Sequence, residues 1–559
     1  MKSNSPNTVA EYYADFIALK ETPGVFQLSG GMIAFLADAI YRKGATPLIT
    51  NRHEQASGFA AEGATRVSGK TCVALGTSGP GASNLVTAIA SCYFDSVPVV
   101  FITGQVNTKE IKSSAEQRQN GFQELDVVTM VKGITKATYS PRNALEAIQA
   151  LNEAWEIANQ ARFGPILIDL PIDVQQLPIE ELKHVLPKVI FERKVELEDE
   201  VFSLVNSAIK NSRKPLILVG GGVVLDHATN ELESFVENTQ IPVVATLMGI
   251  DSAAKINILN LGFIGSYGNR WANDALKDSD LLIVLGCRLD PRQTGASIEE
   301  FKKNKIIIRV DIDNFELEGR VEADIKIRSS IGQFLSDSRL TKEAKISNPL
   351  VEQSQSIKNS KPQTDEQEID LSLNPNEFLE KISLMHKEAD GYIVDVGQHQ
   401  MWAAQSIKVL SNQRFLTSGG LGAMGFSLPA AIGASIATDG DWVVILGDGC
   451  AQLSAPELQT ISELDLPISI YVMNNKQHGM VAQFQDENME SRYVGTRFGY
   501  STPDFCALAE TYGFRNTFTV DSISQIGELE SIKKLNSRGP VLVNVIISSG
   551  AKALPKMKN

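Results

Sequence analysis

Residues 442–449 read Trp442-Val443-Val444-Ile445-Leu446-Gly447-Asp448-Gly449, an apolar run broken by Gly-Asp-Gly. After one helical stretch, Ile468-Ser469-Ile470-Tyr471-Val472-Met473 follows and stops at Asn474-Asn475. Runs that are apolar throughout, without alternation, suit strands buried on both faces, and two of them joined through a helix form a βαβ unit with parallel strands. Gly-Asp-Gly and Asn-Asn then fall at the carboxyl ends of neighbouring strands. In open α/β sheets, ligands bind at that edge.

The same grammar recurs outward from this unit. A strand at 71–75, a Gly-rich turn, a helix at 82–93 and a strand at 97–103 make one unit, and 215–225 with 280–285 make another. The fold class is therefore α/β, with three doubly wound parallel-sheet domains, which suits a chain of 559 residues. The expected domains cover 1–180, 195–345 and 373–559, with a linker at 346–372. Charged, proline-containing sequence at 175–200 and a Ser/Gln/Lys-rich segment at 348–370 mark the boundaries. Asn374-Pro375-Asn376-Glu377 then restarts a helix with an N-cap, a proline at the first helical position and an acid in the first turn. The chain opens on a helix behind a Thr8-x-x-Glu11 capping box. Residues 58–75 and 425–446 share the order helix, turn, strand, a weak internal repeat between the first and third domains.

With 43% hydrophobic and 21% charged residues, the composition is that of a folded globular protein. A net charge of −14 with no basic run argues against nucleic acid as a partner. No apolar run reaches the roughly 18 residues that span a bilayer, and the N-terminal sequence has no secretion-signal pattern, so a cytoplasmic protein is expected. Cys72, Cys92, Cys287, Cys450 and Cys506 form no CxxC pair and are expected to be reduced thiols rather than zinc ligands.

Gly-Asp-Gly by itself is a common tight turn. What points to chemistry is its partner one crossover later. Asp448 offers a carboxylate oxygen and Asn475 an amide oxygen, while Gly447 and Gly449 let backbone approach closely. This suits Mg²⁺ holding a diphosphate, because Mg²⁺ takes few protein ligands and fills its octahedron with phosphate oxygens and water.

This pattern, Gly-Asp-Gly followed after one crossover by Asn-Asn, is the thiamine diphosphate signature, and the chain resembles the acetolactate (acetohydroxyacid) synthase family of thiamine enzymes. Further matching segments are His53-Glu54-Gln55, Thr77-Ser78-Gly79-Pro80-Gly81-Ala82, Gly104-Gln105-Val106, Gly121-Phe122-Gln123-Glu124, Val396-Gly397-Gln398-His399-Gln400-Met401-Trp402 and Thr417-Ser418-Gly419-Gly420-Leu421-Gly422-Ala423-Met424-Gly425.

The resemblance implies pyrimidine-binding, central flavin-type and diphosphate-binding domains, in that order. It implies that Glu54 hydrogen-bonds the aminopyrimidine N1′, that the Gly422 carbonyl accepts from the 4′-amino group and that Met424 wedges between the cofactor rings. Phe122 and Gln123 join these as catalytic residues. Gln398, His399 and Met480 match cofactor contacts, and the Gln477 backbone carbonyl joins Asp448 and Asn475 on Mg²⁺. FAD is implied for the middle domain, with Arg162, Arg288 and Asp311 as contacts, although Gly220-Gly221-Gly222 is not the G-x-G-x-x-G fingerprint. In this family Glu54 serves the partner subunit's cofactor, so a homodimer or homotetramer is implied.

Departures from the family pattern gather on the acceptor side. Phe484 stands where a tryptophan is usual, Ile264-Gly265-Ser266-Tyr267-Gly268 replaces a Met-containing loop, and 107–120, with Lys109, Lys112 and Arg118, runs longer. The chain stops soon after Leu554-Pro555, which predicts that no tail closes over the site. Phe484 and Ser266 are the expected acceptor-pocket residues. The expected function is decarboxylation of pyruvate and transfer of the two-carbon unit to a carbonyl, either a second pyruvate, giving 2-acetolactate, or a nucleotide-linked 4-keto sugar. A flavin-linked pyruvate oxidase and a catalytically silent binding paralogue are the readings from other classes.

Overall fold

The computed structural model describes residues 6–114, 116–179, 196–341, 348–367, 369, 371–527, 529 and 539–557. The first sheet holds Val25–Gln27 (β1), Leu48–Thr50 (β2), Cys72–Gly76 (β3), Val99–Gln105 (β4), Ala137–Tyr139 (β5) and Ile166–Pro171 (β6). The second holds Pro215–Val219 (β7), Val243–Ala245 (β8), Asn260–Phe263 (β9), Leu281–Leu285 (β10), Ile306–Asp311 (β11) and Ile325–Arg328 (β12). The third holds Gly391–Val394 (β13), Arg414–Thr417 (β14), Trp442–Gly447 (β15), Ile468–Asn474 (β16), Asn516–Val520 (β17) and Val541–Ile546 (β18).

Every pair within these sheets is parallel, as the unbroken apolar strands require. The first sheet runs β2-β1-β3-β4-β6-β5 and the third β14-β13-β15-β16-β18-β17, which is the same order. The internal repeat is thus a repeat of topology. The middle sheet runs β12-β11-β10-β7-β8-β9, the 3-2-1-4-5-6 order of dinucleotide-binding folds.

The two related domains meet through helices Glu54–Ser68 and Ser427–Thr438. A methyl added at Gly63 would lie 2.2 Å from the Ala430 carbonyl oxygen, and one at Gly433 would lie 1.8 Å from that of Ala60. Ala-x-x-Gly on each helix faces Ala-x-x-Gly on the other, so backbone packs on backbone. Ala is favoured over Gly by about 1 kcal/mol in an ordinary helix. Here the sign reverses, because a carbonyl cannot swing aside. Gly433→Ala is expected to cost about 3 kcal/mol or more, as in severe overpacking, read as a lower thermal midpoint. An unchanged or raised midpoint would show that the helices can separate freely.

At the first helix, Val9–Leu19, the Thr8 hydroxyl accepts from the Glu11 N–H, but the Glu11 carboxylate reaches back to the Asn7 N–H, one residue beyond the expected box. At Pro375–Met385 the Asn374 side chain caps the N–H groups of Asn376 and Glu377, as the sequence predicts. Within the polar segment read as a linker, Pro349–Ser360 is a helix. It places Leu350, Ser354 and Ile357 on one face against the Trp271 helix of the middle domain, and Arg270 clasps Glu366 through two hydrogen bonds at 2.8 and 2.6 Å. Most of the 175–200 boundary lies outside the described residues. Cys72, Cys92, Cys287 and Cys450 are buried as separate thiols and Cys506 is half-buried. No helix among the described residues is long and apolar enough to cross a membrane.

Candidate active site

A cleft of about 1210 Å³ runs between the middle and third domains along the carboxyl ends of their strands. That is more than one small molecule needs, since single-ligand pockets span roughly 300–1,000 Å³. Its lining brings together Gln398, His399, Gly422, Met424, Gly447, Asp448, Gly449, Asn475, Gln477, Met480, Phe484, Ser266, Arg162, Arg288 and Asp311.

At the floor, β13, β15 and β16 are parallel neighbours, so Gly397, Asp448 and Asn475 emerge side by side. Asp448 is 2% exposed. Its Oδ1 accepts from the Gly449 N–H at 2.7 Å and the Tyr500 hydroxyl at 2.9 Å, while its buried Oδ2 has no partner. A buried carboxylate oxygen left bare is costly unless a cation meets it. Burial raises the Asp448 pKa from the ordinary carboxyl value, only partly countered by hydrogen bonds from the Tyr500 hydroxyl and from the Gly449, Lys476 and Gln477 backbone.

The Asn475 amide nitrogen donates to Gln398 Oε1 at 3.0 Å, which turns its own oxygen the other way, as a cation ligand requires. The Gln477 side chain donates to the Ser549 carbonyl and accepts from Arg497, so its backbone carbonyl is the group left for a metal. These donors fit a hard divalent cation holding a diphosphate.

Burial pushes the His399 imidazole down to about 4, and its Nε2 accepts from the Gly447 N–H at 3.2 Å. The ring lies between Gly397 and Gly447, where added methyls would approach to 2.6 and 2.9 Å. His399 is therefore neutral and braces the turn that carries Asp448.

Gly422 has φ +70, with Val396 Cγ1 4.0 Å from where a Cβ would stand, and Gly425 has φ +82. Two carboxylates hold this loop. Asp95 of the first domain accepts from the Gly419 and Gly420 N–H groups at 3.0 and 2.7 Å. Asp395 accepts from Val396, Gly425 and Ser427 at 2.7–3.0 Å. Sequence reasoning missed Asp95, Asp395 and Tyr500. Asp395 had a signal in its position at the end of β13; Asp95 and Tyr500 had none, because their partners are distant in the chain.

In the middle domain the order reverses between β7 and β10. There an added Gly220 methyl would lie 2.1 Å from the Gly286 carbonyl and a Gly222 methyl 2.7 Å from Gly286 Cα. These glycines allow the two strand ends to close up at the switch point, the place where this topology takes a dinucleotide. Arg162 lies on the rim, donating to Asp313 at 3.0 Å, Glu316 at 2.8 Å and Ser96 at 3.0 Å, so it also ties the first domain to the middle one. Asp311 is raised above its ordinary value by burial, and Arg288 stands 3.9 Å from Asp290.

Glu54, Phe122 and Gln123 are not among the cleft's lining residues. Glu54 opens its helix, 6% exposed, with Oε2 accepting from the Asn84 amide at 3.0 Å and Oε1 lying against Gly81. Gln123, at φ +62, packs on Gly79, and Phe122 is 81% exposed. Glu124, which the sequence reading left without a role, gathers the N–H groups of Lys112, Asn120 and Gly121 and so shapes their loop. Lys109, Lys112 and Arg118 also lie outside the cleft lining, so they do not give this chain's own cleft a basic wall.

The C-terminal segment, by contrast, does close on the cleft. Lys556 and Met557 line it, and the Met557 N–H donates to the Ser266 carbonyl. Side-chain N–H groups hold the segment there: the Gln367 amide and the Trp402 indole donate to the Lys552 carbonyl, Gln483 to that of Ala553, and Gln363 and Gln405 to that of Leu554. Glutamines scattered along the chain gave no sequence signal for this.

Residues 7–130, 203–337 and 395–545 match the thiamine pyrophosphate enzyme N-terminal TPP binding domain, central domain and C-terminal TPP binding domain. The chain is 37% identical to the probable acetolactate synthase large subunit of Methanocaldococcus jannaschii, over 95% of this chain and 90% of that protein. It is 34% identical to the acetolactate synthase isozyme 2 large subunit of Escherichia coli K12, over 94% and 92%. It is 36% identical to the chloroplastic acetolactate synthase 1 of Zea mays, over 95% and 84%. The matched domains follow the three sheets in order, and the chain belongs to the acetolactate synthase large-subunit family of thiamine diphosphate enzymes.

Proposed function

We propose that the protein is a thiamine diphosphate-dependent carboligase that decarboxylates pyruvate and joins the two-carbon unit to a second pyruvate, giving 2-acetolactate. The observation that carries this is the unpartnered, buried Asp448 Oδ2 beside the turned Asn475 amide at adjacent strand ends. The relatives' names favour a second pyruvate over a sugar acceptor or an oxidase.

Asp448, Asn475 and the Gln477 carbonyl would hold Mg²⁺, which would anchor the diphosphate. When bound, the cofactor's thiazolium supplies a carbanion, and its aminopyrimidine the base that generates it. The chain's own part is positioning. The Gly422 carbonyl would orient the amino group, Met424 would pack against the cofactor's rings, and Glu54 would hold or release a proton at N1′. Because Glu54 sits outside this chain's cleft, it acts on the cleft of a second copy, with Phe122 and Gln123 beside it; the functional unit is a homodimer or a pair of dimers. FAD fits the middle-domain half of the cleft, where Gly220, Gly222 and Gly286 let backbone come close at the β7/β10 switch point and Arg162, Arg288 and Asp311 line the wall. The proposal extends to action in the cytoplasm, supported by five cysteines that form no disulfide among the described residues.

The test is incubation with labelled pyruvate, with and without thiamine diphosphate and Mg²⁺. The expected result is labelled CO₂ and 2-acetolactate, both dependent on each addition. Release of acetate with flavin reduction would favour an oxidase, and no release at all would favour a silent paralogue.

Acceptor choice should be set at the cleft mouth. Phe484, on helix Gly479–Asn488, is 50% exposed there beside Met480 and Val481. An indole has a larger apolar face than a phenyl ring, and a methylene's difference in such a pocket is worth about 1–3 kcal/mol. Phe484→Trp should raise the use of 2-ketobutyrate over pyruvate as acceptor several-fold, with pyruvate decarboxylation unchanged, in a competition assay. An unchanged ratio would remove Phe484 from the acceptor wall.

A further inference from the structure

Gln105 ends strand β4 inside the first domain, 4% exposed and outside the cleft lining. Its side-chain amide is fully used. The oxygen accepts from the Val106 N–H at 2.9 Å, and the nitrogen donates to the Leu125 carbonyl and to Asp169 Oδ2, each at 2.9 Å. An amide nitrogen carries two hydrogens, so both are committed, and a flipped amide would set its oxygen against two acceptors.

Asp169 stands on the neighbouring strand β6, 4% exposed, with Oδ1 accepting from the Thr103 hydroxyl at 2.7 Å. Burial pushes it up to about 6, only partly countered by the hydrogen bonds from Thr103 and Gln105, so at neutral pH it is mainly the carboxylate. A hydrogen bond to an ionised acceptor is about twice as strong as a neutral one. Asp169 thus fixes the Gln105 amide from behind.

What Gln105 fixes in turn is the backbone two residues beyond Gln123. Gln123 is held at φ +62, and a methyl added at Gly79 would lie 2.9 Å from its carbonyl oxygen. A non-glycine residue in the left-handed region persists only where its surroundings over-determine it. Here Gly79 closes on Gln123, Glu124 gathers the N–H groups of Lys112, Asn120 and Gly121 before it, and Gln105 holds the Leu125 carbonyl after it. The start of the longer stretch at 107–120 is tied down separately, with Asp173 accepting from the Thr108 N–H and hydroxyl.

We propose that Gln105, braced by Asp169, is a positioning residue that sets Gln123 for its work in the cleft of a second copy. The proposal rests on the reading of Gln123 as a catalytic residue there. Gln105 touches neither substrate nor cofactor; it acts through the Leu125 carbonyl and the turn that presents Gln123.

The test is a double-mutant cycle on CO₂ release from pyruvate by the enzyme loaded with thiamine diphosphate and Mg²⁺, using Gln105→Met, Gln123→Ala and the two combined. Met keeps the length of the side chain and removes all three hydrogen bonds. A misplacement of about 1 Å can cost about 10²-fold, and Gln105→Met is expected to lower kcat by about that much with cofactor occupancy unchanged. In the Gln123→Ala background the same change should cost little further, because residues acting as a unit do not add. Asp169→Val leaves Gln105 in place and removes its brace; its smaller loss should vanish in the Gln123→Ala background too, and it carries the test if Gln105→Met does not fold. Turnover near wild type in both Gln105→Met and Asp169→Val, or losses that multiply with that of Gln123→Ala as a merely structural defect would, would overturn the role of Gln105. If Gln123→Ala alone kept wild-type turnover, Gln123 would not be catalytic and both readings would fall together.

Discussion

Glu54→Gln is expected to lower the rate of CO₂ release from pyruvate by about 10²- to 10⁴-fold, the usual worth of a positioned proton-transfer group, while thiamine diphosphate stays bound. The substitution keeps the shape of the side chain and its contact with the Asn84 amide, but an amide can neither hold nor release a proton at N1′. Exchange of the cofactor's C2 proton, followed by NMR, should slow in parallel, which separates a proton-transfer defect from a binding defect. Turnover near that of wild type would remove Glu54 from catalysis.

Asp448→Ala is expected to fail earlier, at loading. It removes the one carboxylate on the cleft floor whose buried oxygen awaits a cation, so Mg²⁺ and diphosphate lose their shared anchor. Outer-shell changes cost about 10–100-fold in metal affinity, and loss of a direct ligand should exceed that. After dialysis the variant should retain no thiamine diphosphate, and full occupancy would refute the metal role. The two variants also test each other. If Glu54 of one copy serves the cleft of the next, mixing the two inactive proteins under conditions of subunit exchange should restore part of the activity. A mixed dimer then has one site with both residues intact. No recovery despite demonstrated exchange would place Glu54 and Asp448 in the same chain's site.

The unbroken apolar runs of β7, β10, β15 and β16 specified parallel buried strands, and the positions of Gly-Asp-Gly and Asn-Asn at their ends specified where a ligand binds. These features were legible because strand period and turn chemistry are local properties of neighbouring residues. The Asn374 cap was legible for the same reason. The helix at Pro349–Ser360 was not, because its apolar face is sparse and forms only against the Trp271 helix.

At the site, Asp448, Asn475, His399 and Glu54 could be named from motifs, since each lies within a short run of characteristic residues. Their working states could not. That His399 is neutral, that Asn475 turns its oxygen away from Gln398, and that Asp448 keeps one oxygen bare depend on burial and on partners tens of residues away. The same holds for the hold of Asp95 on the Gly-rich loop and for the side-chain N–H groups that seat the C-terminal segment over the cleft. By itself the sequence determined three α/β domains, the strand ends that carry the chemistry and the residues found there, because those follow from local periodicity and turn geometry. Only the tertiary structure decided which atoms remain free and that Glu54 stands outside its own chain's cleft, because desolvation and hydrogen-bond saturation depend on what packs around a group rather than on its neighbours in the chain.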